Sequence, residues 1–461
     1  MDGYGSTHSA SRLRVSPTTI VGEVVGASAR GVRVADRLRA LSLGARVSVS
    51  SADGQSFLAE VVALDDGAAL CAPLADPARA GVRCGARVVF PNIGDRGVAQ
   101  GDPRALLGRG VDGFGAAIDG GPALEAVARG PRGPVAGGAT PPAPLRAELG
   151  GPLDFGVKAM SVFAPARIGQ RLGLFAAAGL GKSTLLASIA RGADCDVVIA
   201  AMVGERGREV REFAEDGLGP DGRARSVVVA ASAEAPAMMR REAAFFALDV
   251  AEAFRDQGKN VLLLMDSLTR FALAQREIGL AAGEPPTTRG HTPSVFAQLP
   301  HLAERAGPGW AAAHAPAGVV PGGAITGVFT VLVEGDDHDE PIADAARAAL
   351  DGHVVLTRAV AERGRFPAID VVSSLSRTAQ TALTAHERVL ANDARKVIAL
   401  EAEMRDLARL GAYRAGADPA IDRALRLAPR LESLFDQPSD VHVARDEAFA
   451  ALASILSDEP A

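Results

Sequence analysis

The sequence predicts an α/β fold in which a parallel sheet with crossover helices follows a small β-barrel and precedes a helical domain. Short β-branched runs alternate with turn residues from about Thr18 to Phe90, as in small closed barrels. From Pro152 onward strands alternate with helical stretches, and strands stop after about Ala379. Because the chain has 461 residues, it is too long for a single core, and several domains are expected.

Each region has its own candidate elements. The barrel strands are predicted at residues 19–25, 32–34, 46–50, 57–64, 68–71 and 87–90. The sheet strands are predicted at residues 171–175, 196–203, 226–232, 260–266, 324–333 and 353–356. A Gly- and Pro-rich stretch at residues 130–144 predicts an extended connector. In the tail, apolar residues recur at the spacing of an amphipathic helix, at Val397, Leu400, Met404, Leu407 and Leu410.

The composition is typical of a soluble protein without a general attraction for nucleic acid. The net charge is −6 and the pI about 5.8, so any anion site must be local. Three widely spaced cysteines argue against a disulfide framework or a zinc site. The N-terminus lacks the apolar core of a secretory signal, and Pro and Gly residues interrupt the uncharged stretch at 315–333. We therefore expect a cytoplasmic protein whose contact with the membrane is peripheral.

The motif AAAGLGKS at residues 176–183 predicts a phosphate-binding loop, since an apolar strand precedes it and a helical stretch follows. It departs from the pattern only at Ala176, where Gly is usual. Gly179 and Gly181 allow a tight turn whose N–H groups face phosphate oxygens at a helix N-terminus. Lys182 is expected at the β- and γ-phosphates and Ser183 at Mg²⁺. The predicted ATP-binding residues here are Ala176, Ala177, Ala178, Gly179, Leu180, Gly181, Lys182, Ser183 and Thr184.

Acidic and basic residues follow two further strands. Asp266 ends an apolar strand, where open α/β sheets bind ligands, and is expected to hold Mg²⁺ through water. Glu205 follows another strand and is placed to polarise the attacking water. Arg206 and Arg270 are further cations that could meet the γ-phosphate. The fold class predicted is therefore an α/β P-loop NTPase core.

Several longer motifs resemble the secretion ATPases related to the catalytic beta subunit of the rotary ATP synthase. The shared runs are GERGREVREF at 204–213, LMDSLTRF at 264–271, GEPP at 283–286, VEGDD at 333–337, FPAIDV at 366–371 and SLSR at 374–377. Within this family the sequence is most similar to the flagellum-specific export ATPases. The runs that carry this similarity are PPTTRG at 285–290, DDHDEP at 336–341 and AERGRF at 361–366.

The resemblance implies roles for individual residues. Glu205 matches the water-activating carboxylate of the family, and Arg206 and Arg270 match residues near the γ-phosphate. Arg377 matches an arginine finger that reaches the site of the adjacent subunit. Phe366 matches an aromatic residue that stacks on adenine, where relatives often have Tyr.

The resemblance also implies a RecA-like parallel sheet and a homohexameric ring with an ATP site at each border. The expected partners are a regulator at the extreme N-terminus, a coiled-coil stalk protein, export substrates with their chaperones, and the export gate at the inner membrane. The expected domains are a flexible segment at 1–17, the barrel at 18–92, the nucleotide-binding domain at 93–380 and the helical domain at 381–461.

Alternative functions share much of this active site. An ATPase of a virulence (injectisome) secretion system is the nearest alternative, and a catalytic subunit of the rotary ATP synthase is a second. A non-catalytic ring subunit would lack the carboxylate supplied here by Glu205. An RNA translocase is disfavoured because aromatic residues, which stack on bases, make up only 4% of the chain.

Overall fold

The computed structural model describes residues 21–28, 31–50, 56–74, 81–90, 102–122, 124, 140–333 and 340–457. The chain divides into two compact units, Met1–Arg96 and Gly97–Ala461. The segment 1–17, where the regulator is expected to bind, lies outside the described residues, as do most of the Gly- and Pro-rich connector and residues 334–339.

The described part of the first unit is a closed antiparallel barrel of six strands in the order β1-β2-β5-β4-β3-β6. Alternate side chains point inward, so Val32 and Val34 of one strand and Val47 and Val49 of another are fully buried. The barrel predicted from the sequence is confirmed. The strands are β1 (Val21–Ser28), β2 (Gly31–Ala35), β3 (Arg46–Ser50), β4 (Ser56–Asp65), β5 (Ala68–Pro73) and β6 (Arg87–Val89).

The second unit alternates strands with helices. Its strands are β7 (Gly110–Val111), β8 (Pro152–Leu153), β9 (Ala166–Arg167), β10 (Arg171–Ala176), β11 (Val197–Glu205), β12 (Ser226–Ser232), β13 (Asn260–Asp266), β14 (Gly307–Pro308), β15 (Ala324–Leu332), β16 (Gly352–Leu356) and β17 (Ile369–Ser376). Its helices are α1 (Lys158–Phe163), α2 (Lys182–Gly192), α3 (Gly207–Glu212), α4 (Gly219–Ala224), α5 (Ala237–Arg255), α6 (Leu268–Ala282), α7 (Pro293–Glu304), α8 (Pro341–Ala349), α9 (Arg358–Ala361), α10 (Ala379–Ala382), α11 (Ala385–Arg409), α12 (Pro419–Phe435) and α13 (Arg445–Leu456).

The central sheet has the strand order β17-β16-β10-β15-β13-β11-β12-β7. Neighbours from β16 to β7 pair in parallel, whereas β17 pairs antiparallel with β16 at the edge. This confirms the predicted RecA-like parallel sheet. The strand β17 was not predicted from the sequence, because its serines interrupt the apolar run that marks the buried strands.

Two apolar cores cover the two faces of this sheet. Successive side chains of a strand face opposite sides, so Val198 and Met202 of β11 belong to one core and Ile199 and Val203 to the other. Helices α2, α11, α12 and α13 pack in the first core, and α5 to α8 pack in the second. Burial of β11 on both faces fixes the position of the residues at its end.

The helical tail packs on the same unit as the sheet. The ring of Phe435 meets that of Phe163 edge to face, with centroids 4.9 Å apart. The predicted amphipathic helix is present as α11, but only the first part of its apolar stripe is buried: Val397 is 4% exposed and Leu410 82%. Within the described residues, no helix combines the length and the apolar character that crossing a membrane requires.

Candidate nucleotide site

The loop between β10 and α2 has the backbone of a phosphate-binding turn. Gly179 and Gly181 have φ angles of +83° and +78°, in the left-handed region that favours glycine. The eleven-residue helix α2 begins at Lys182, so its N-terminal N–H groups and the positive end of its dipole face the turn. Ser183 and Thr184 are exposed in the first turn of this helix. The arrangement is suited to binding an anion.

Three charged side chains meet beside this loop. The Lys182 ammonium forms a short ion pair with Asp266 Oδ1 and lies 3.6 Å from Glu205 Oε1. Asp266 ends β13 and Glu205 ends β11, and these two strands are parallel neighbours. The side chains of Asp266 and Glu205 are only 2% and 6% exposed. The structure therefore brings together the Lys and the two carboxylates that the sequence singled out.

Burial changes the acid–base behaviour of Glu205. Loss of hydration raises the pKa of its carboxyl group to about 7, and the neighbouring carboxylate of Asp266 acts in the same direction. The Lys182 cation opposes this rise in pKa. A carboxyl group with a pKa near neutrality is well suited to accept a proton at physiological pH.

Two carboxylate oxygens of the cluster are left without hydrogen-bond partners. These are Glu205 Oε1 and Asp266 Oδ2, which are both buried. Unsatisfied buried oxygens are costly, and hard divalent cations prefer oxygen ligands. Ser183, which directly follows Lys182, is exposed and could supply a further oxygen. The oxygens of this site therefore fit a magnesium ion that binds together with a nucleotide.

Thr330, which was not predicted as a site residue, fixes the orientation of Asp266. Its hydroxyl, which is fully buried in β15, donates to Asp266 Oδ1 at 2.7 Å. Oδ1 is thereby engaged by both Thr330 and Lys182, and Oδ2 is the oxygen that remains available. A threonine in a buried strand is ordinary in sequence, so only the pairing of β13 with β15 reveals this contact.

The two arginines predicted near the γ-phosphate differ in their placement. Arg270 lies in the first turn of α6, where Ser267 Oγ accepts from its backbone N–H. Its side chain packs on Gly204: a Cβ at that glycine would stand 3.1 Å from Arg270 Cβ. Arg206, by contrast, has a side chain 76% exposed and pairs with Glu209 at 3.3 Å. The structure does not place Arg206 in the cluster.

Phe366 lies beside the phosphate loop. The residue is 46% exposed and borders a cavity of about 380 Å³ together with Gly179, Gly181 and Thr184. A second wall of the cavity comes from Asp436 to Ser439, which follow α12 and were not predicted as site residues. A flat, half-exposed ring beside the phosphate loop can stack on a base.

The wall after α12 is hydrogen-bonded to the loop that carries Phe366. The Phe366 N–H donates to Asp436 Oδ1 at 2.9 Å, and the Gln437 N–H donates to the Phe366 carbonyl at 2.7 Å. Gln437 is itself fixed, because its side-chain amide donates to the Gly156 carbonyl. Both walls of the cavity are therefore held in one arrangement.

Arg377 is remote from the phosphate loop of its own chain. It follows Ser376, which pairs with Gly352 at the start of β16, whereas the phosphate loop follows the end of β10. Because β16 and β10 are parallel, these positions lie at opposite ends of the strands. They are roughly 15 Å apart along the strand direction at about 3.3 Å per residue. Arg377 is exposed there.

Family models match most of the second unit. Residues 156–376 match the ATP synthase alpha/beta family, nucleotide-binding domain. Residues 383–454 match the T3SS EscN ATPase C-terminal domain. The two matches together include the cluster, Phe366 and the wall after α12.

Relatives and solved structures agree with these models. The flagellum-specific ATP synthase of Caulobacter vibrioides is 47% identical over 97% of this chain and 98% of its own. The type 3 secretion system ATPase of Pseudomonas syringae pv. tomato is 40% identical over 100% of this chain and 99% of its own. The assembled ATPase EscN from the type III secretion system of enteropathogenic E. coli has a TM-score of 0.83 and 36% identity, covering 95% of this chain and 100% of that one. The chain therefore belongs to the family of flagellum-specific ATP synthases and type 3 secretion system ATPases, within the ATP synthase alpha/beta family.

Proposed function

We propose that this protein hydrolyses ATP with Mg²⁺ as a homohexameric ring and that hydrolysis drives flagellar protein export. The observation that carries the ring mechanism is the position of Arg377. It lies at the end of the strands opposite to the end that carries the phosphate loop of its own chain. An arginine finger placed there can serve only the site of a neighbouring subunit. The flagellar assignment is supported by the end-to-end similarity to the Caulobacter relative.

In this mechanism the phosphate loop holds the triphosphate through its N–H groups and the α2 N-terminus. Lys182 leaves its ion pair with Asp266 to meet the β- and γ-phosphates. Ser183 and Asp266, the latter through water, would hold the magnesium ion, which would neutralise phosphate charge. Glu205, whose pKa lies near 7, accepts a proton from the attacking water.

The remaining site residues bind and orient the nucleotide. Phe366 stacks on the adenine, and Arg270 stabilises charge that develops on the γ-phosphate. Arg206, which is exposed here, would have to turn away from Glu209 to reach that phosphate. Arg377 approaches from the next subunit and completes the site.

The proposed partners follow from the relatives. A solved complex contains EscN with its central stalk EscO, and its ATPase chain covers 95% of this protein at a TM-score of 0.81. We extend this contact to a coiled-coil stalk protein here. The regulator, the substrate–chaperone complexes and the export gate at the inner membrane complete the proposed set, and the protein acts at the cytoplasmic face of that membrane.

The main alternative is a virulence secretion ATPase, because the relative from Pseudomonas syringae also matches end to end. A rotary synthase subunit is a weaker alternative, because the C-terminal helices match the secretion branch. All three would share the catalytic cluster, so a test of the cellular role has to measure export.

The first prediction concerns Asp266. Thr330→Val removes the hydroxyl that fixes Oδ1, so the carboxylate should hold Mg²⁺ less well. We expect the gain in ATP-analogue affinity on adding Mg²⁺, measured by fluorescence titration against EDTA, to fall by about tenfold, the equivalent of one charge-assisted hydrogen bond. Thr326→Val is the matched control, since this buried threonine of β15 accepts from Gly169 N, away from the site. Equal losses in both variants would make Thr330 merely structural.

The second prediction concerns the water. At pH values below about 7 the Glu205 carboxyl is protonated and cannot accept a proton, so kcat/KM should rise with pH up to about 7 and then level off. Glu205→Gln should still bind ATP while hydrolysis falls by about 10²-fold or more. Any inflection that persists in Glu205→Gln belongs to another group. Loss of ATP binding in that variant would contradict the catalytic role.

The third prediction concerns assembly. Arg377→Ala and Lys182→Ala should each fold and be nearly inactive, since a finger in trans contributes about 10³–10⁵ in turnover and the lysine meets the phosphates. A mixed ring contains borders that pair an intact loop with an intact finger. Phosphate release should therefore reappear when the two inactive proteins are mixed and exchange subunits.

Exchange is checked independently, by energy transfer between labelled subunits. Demonstrated exchange without recovered activity, together with normal hydrolysis by Arg377→Ala alone, would exclude the shared site.

The fourth prediction concerns the cellular role. In the source organism, deletion of the gene should abolish secretion of hook and filament proteins and swimming, and the wild-type gene should restore both. Glu205→Gln is the matched control, because it keeps the fold but lacks turnover. Normal flagellar secretion combined with loss of virulence-protein secretion would reassign the protein to the alternative system.

A further inference from the structure

Gln170 is a fully buried polar residue in the turn between β9 and β10 that the mechanism above does not use. It is 0% exposed. Its amide oxygen accepts from Arg167 N at 2.9 Å and from Thr378 Oγ1 at 2.6 Å. Its amide nitrogen donates to Ser376 Oγ at 3.1 Å and to the Asp351 carbonyl at 3.2 Å. All four hydrogen-bonding positions of the side chain are used.

Two of these partners are the residues on either side of Arg377. The hydroxyls of Ser376 and Thr378 also lie 3.2 Å from each other. The side chains of Gln170, Ser376 and Thr378 are therefore joined in a closed ring by three hydrogen bonds. The Arg377 N–H donates at 2.9 Å to the Asp351 carbonyl, which Gln170 also contacts. The backbone that carries Arg377 is thus held from both sides by one side chain.

The side chain of Arg377 is held far less firmly. Arg377 is exposed, and its guanidinium donates to the Arg347 carbonyl near the end of α8 at 3.3 Å, its one hydrogen bond to the described part of the chain. A fixed backbone that carries an exposed, weakly held cation is the arrangement required of a group that must reach into another molecule.

We propose that Gln170 is a positioning residue for the arginine finger. It fixes the backbone at Arg377 and so supports hydrolysis in the neighbouring subunit. This inference rests on the proposed function, in which Arg377 acts in trans. A carboxamide suits this role because it donates to one hydroxyl and accepts from the other in a buried, fully satisfied network.

A competing reading follows from the position of Gln170 in the chain. The next residue, Arg171, begins β10, which leads into the phosphate loop. Gln170 could therefore act on the ATP site of its own subunit instead. The two readings predict opposite results in mixed rings.

The test uses Gln170→Met, which keeps the length of the side chain and removes its hydrogen bonds. Hydrolysis should fall by about 10- to 100-fold, as for a misplaced catalytic group, while ATP-analogue binding stays unchanged. Activity should return when Gln170→Met is mixed with Lys182→Ala, which supplies intact fingers. It should not return in a mixture with Arg377→Ala, because every finger in that ring is defective.

Two further variants distinguish a positioning effect from a folding defect. Gln275→Met is the matched control: Gln275 is also buried and donates to a serine hydroxyl, Ser294 Oγ at 3.1 Å, and this variant should hydrolyse ATP normally. Thr378→Val removes one hydroxyl of the ring with little change of shape. It should show the same mixing pattern if Gln170→Met does not assemble.

Three outcomes would overturn the inference. Wild-type turnover by Gln170→Met and Thr378→Val would show that the network does not position the finger. Recovery with Arg377→Ala, but not with Lys182→Ala, would place the effect at the protein's own phosphate loop. Failure of the Arg377→Ala and Lys182→Ala mixture to recover activity despite exchange would remove the shared site itself, and the inference would fall with the proposed function.

Discussion

Parallel pairing of the central strands determines where the charged groups of this protein can act. Because β10, β15, β13 and β11 are neighbours that run in one direction, their carboxyl ends lie together on one side of the sheet. Lys182, Asp266 and Glu205 meet there for that reason. The reversed strand β17 follows Phe366, which lies near these carboxyl ends, and its last residue precedes Arg377 at the opposite ends of the neighbouring strands. One strand thus connects the residue proposed to stack on the base with a cation that lies far from the phosphate loop of its own chain.

The carboxylates of this cluster are nearly buried, and burial suits Glu205 to proton transfer near neutral pH. Loss of hydration raises the pKa of the Glu205 carboxyl group, the adjacent Asp266 carboxylate adds to this rise, and the Lys182 cation opposes it. Buried oxygens without partners cost about 1–3 kcal/mol each, and such costs are typical of sites that bind ligands. In the proposed mechanism a divalent cation bound with the triphosphate would add charge of both signs to this cluster, and Glu205 would act as the base.

How far the sequence predicts this structure depends on whether a feature is local. The phosphate loop, the acidic residue at the end of β13 and the barrel strands follow from short patterns. The barrel and the sheet strands β10 to β13, β15 and β16 were predicted correctly, whereas β17 was missed. The contacts of Thr330, Gln170 and Asp436 join segments far apart in the chain, so no pattern reveals them. Arg206 shows the converse, because a sequence motif does not specify a rotamer, and its side chain faces Glu209.

The helical tail is joined to the candidate nucleotide cavity by an ion pair and by hydrogen bonds. Arg365, which is 5% exposed, pairs with Glu432 of α12 at 3.0 Å, and Asp436 holds the next residue, Phe366, through its N–H. A shift of α12 relative to the sheet must therefore either break these contacts or move Phe366 and the cavity wall. Since binding and conformation are linked reciprocally, a nucleotide bound as proposed would in turn restrain α12. The tail, the cavity and β17 are thus connected by direct contacts within the chain, and in the proposed ring Arg377 would extend this connection to the site of the neighbouring subunit.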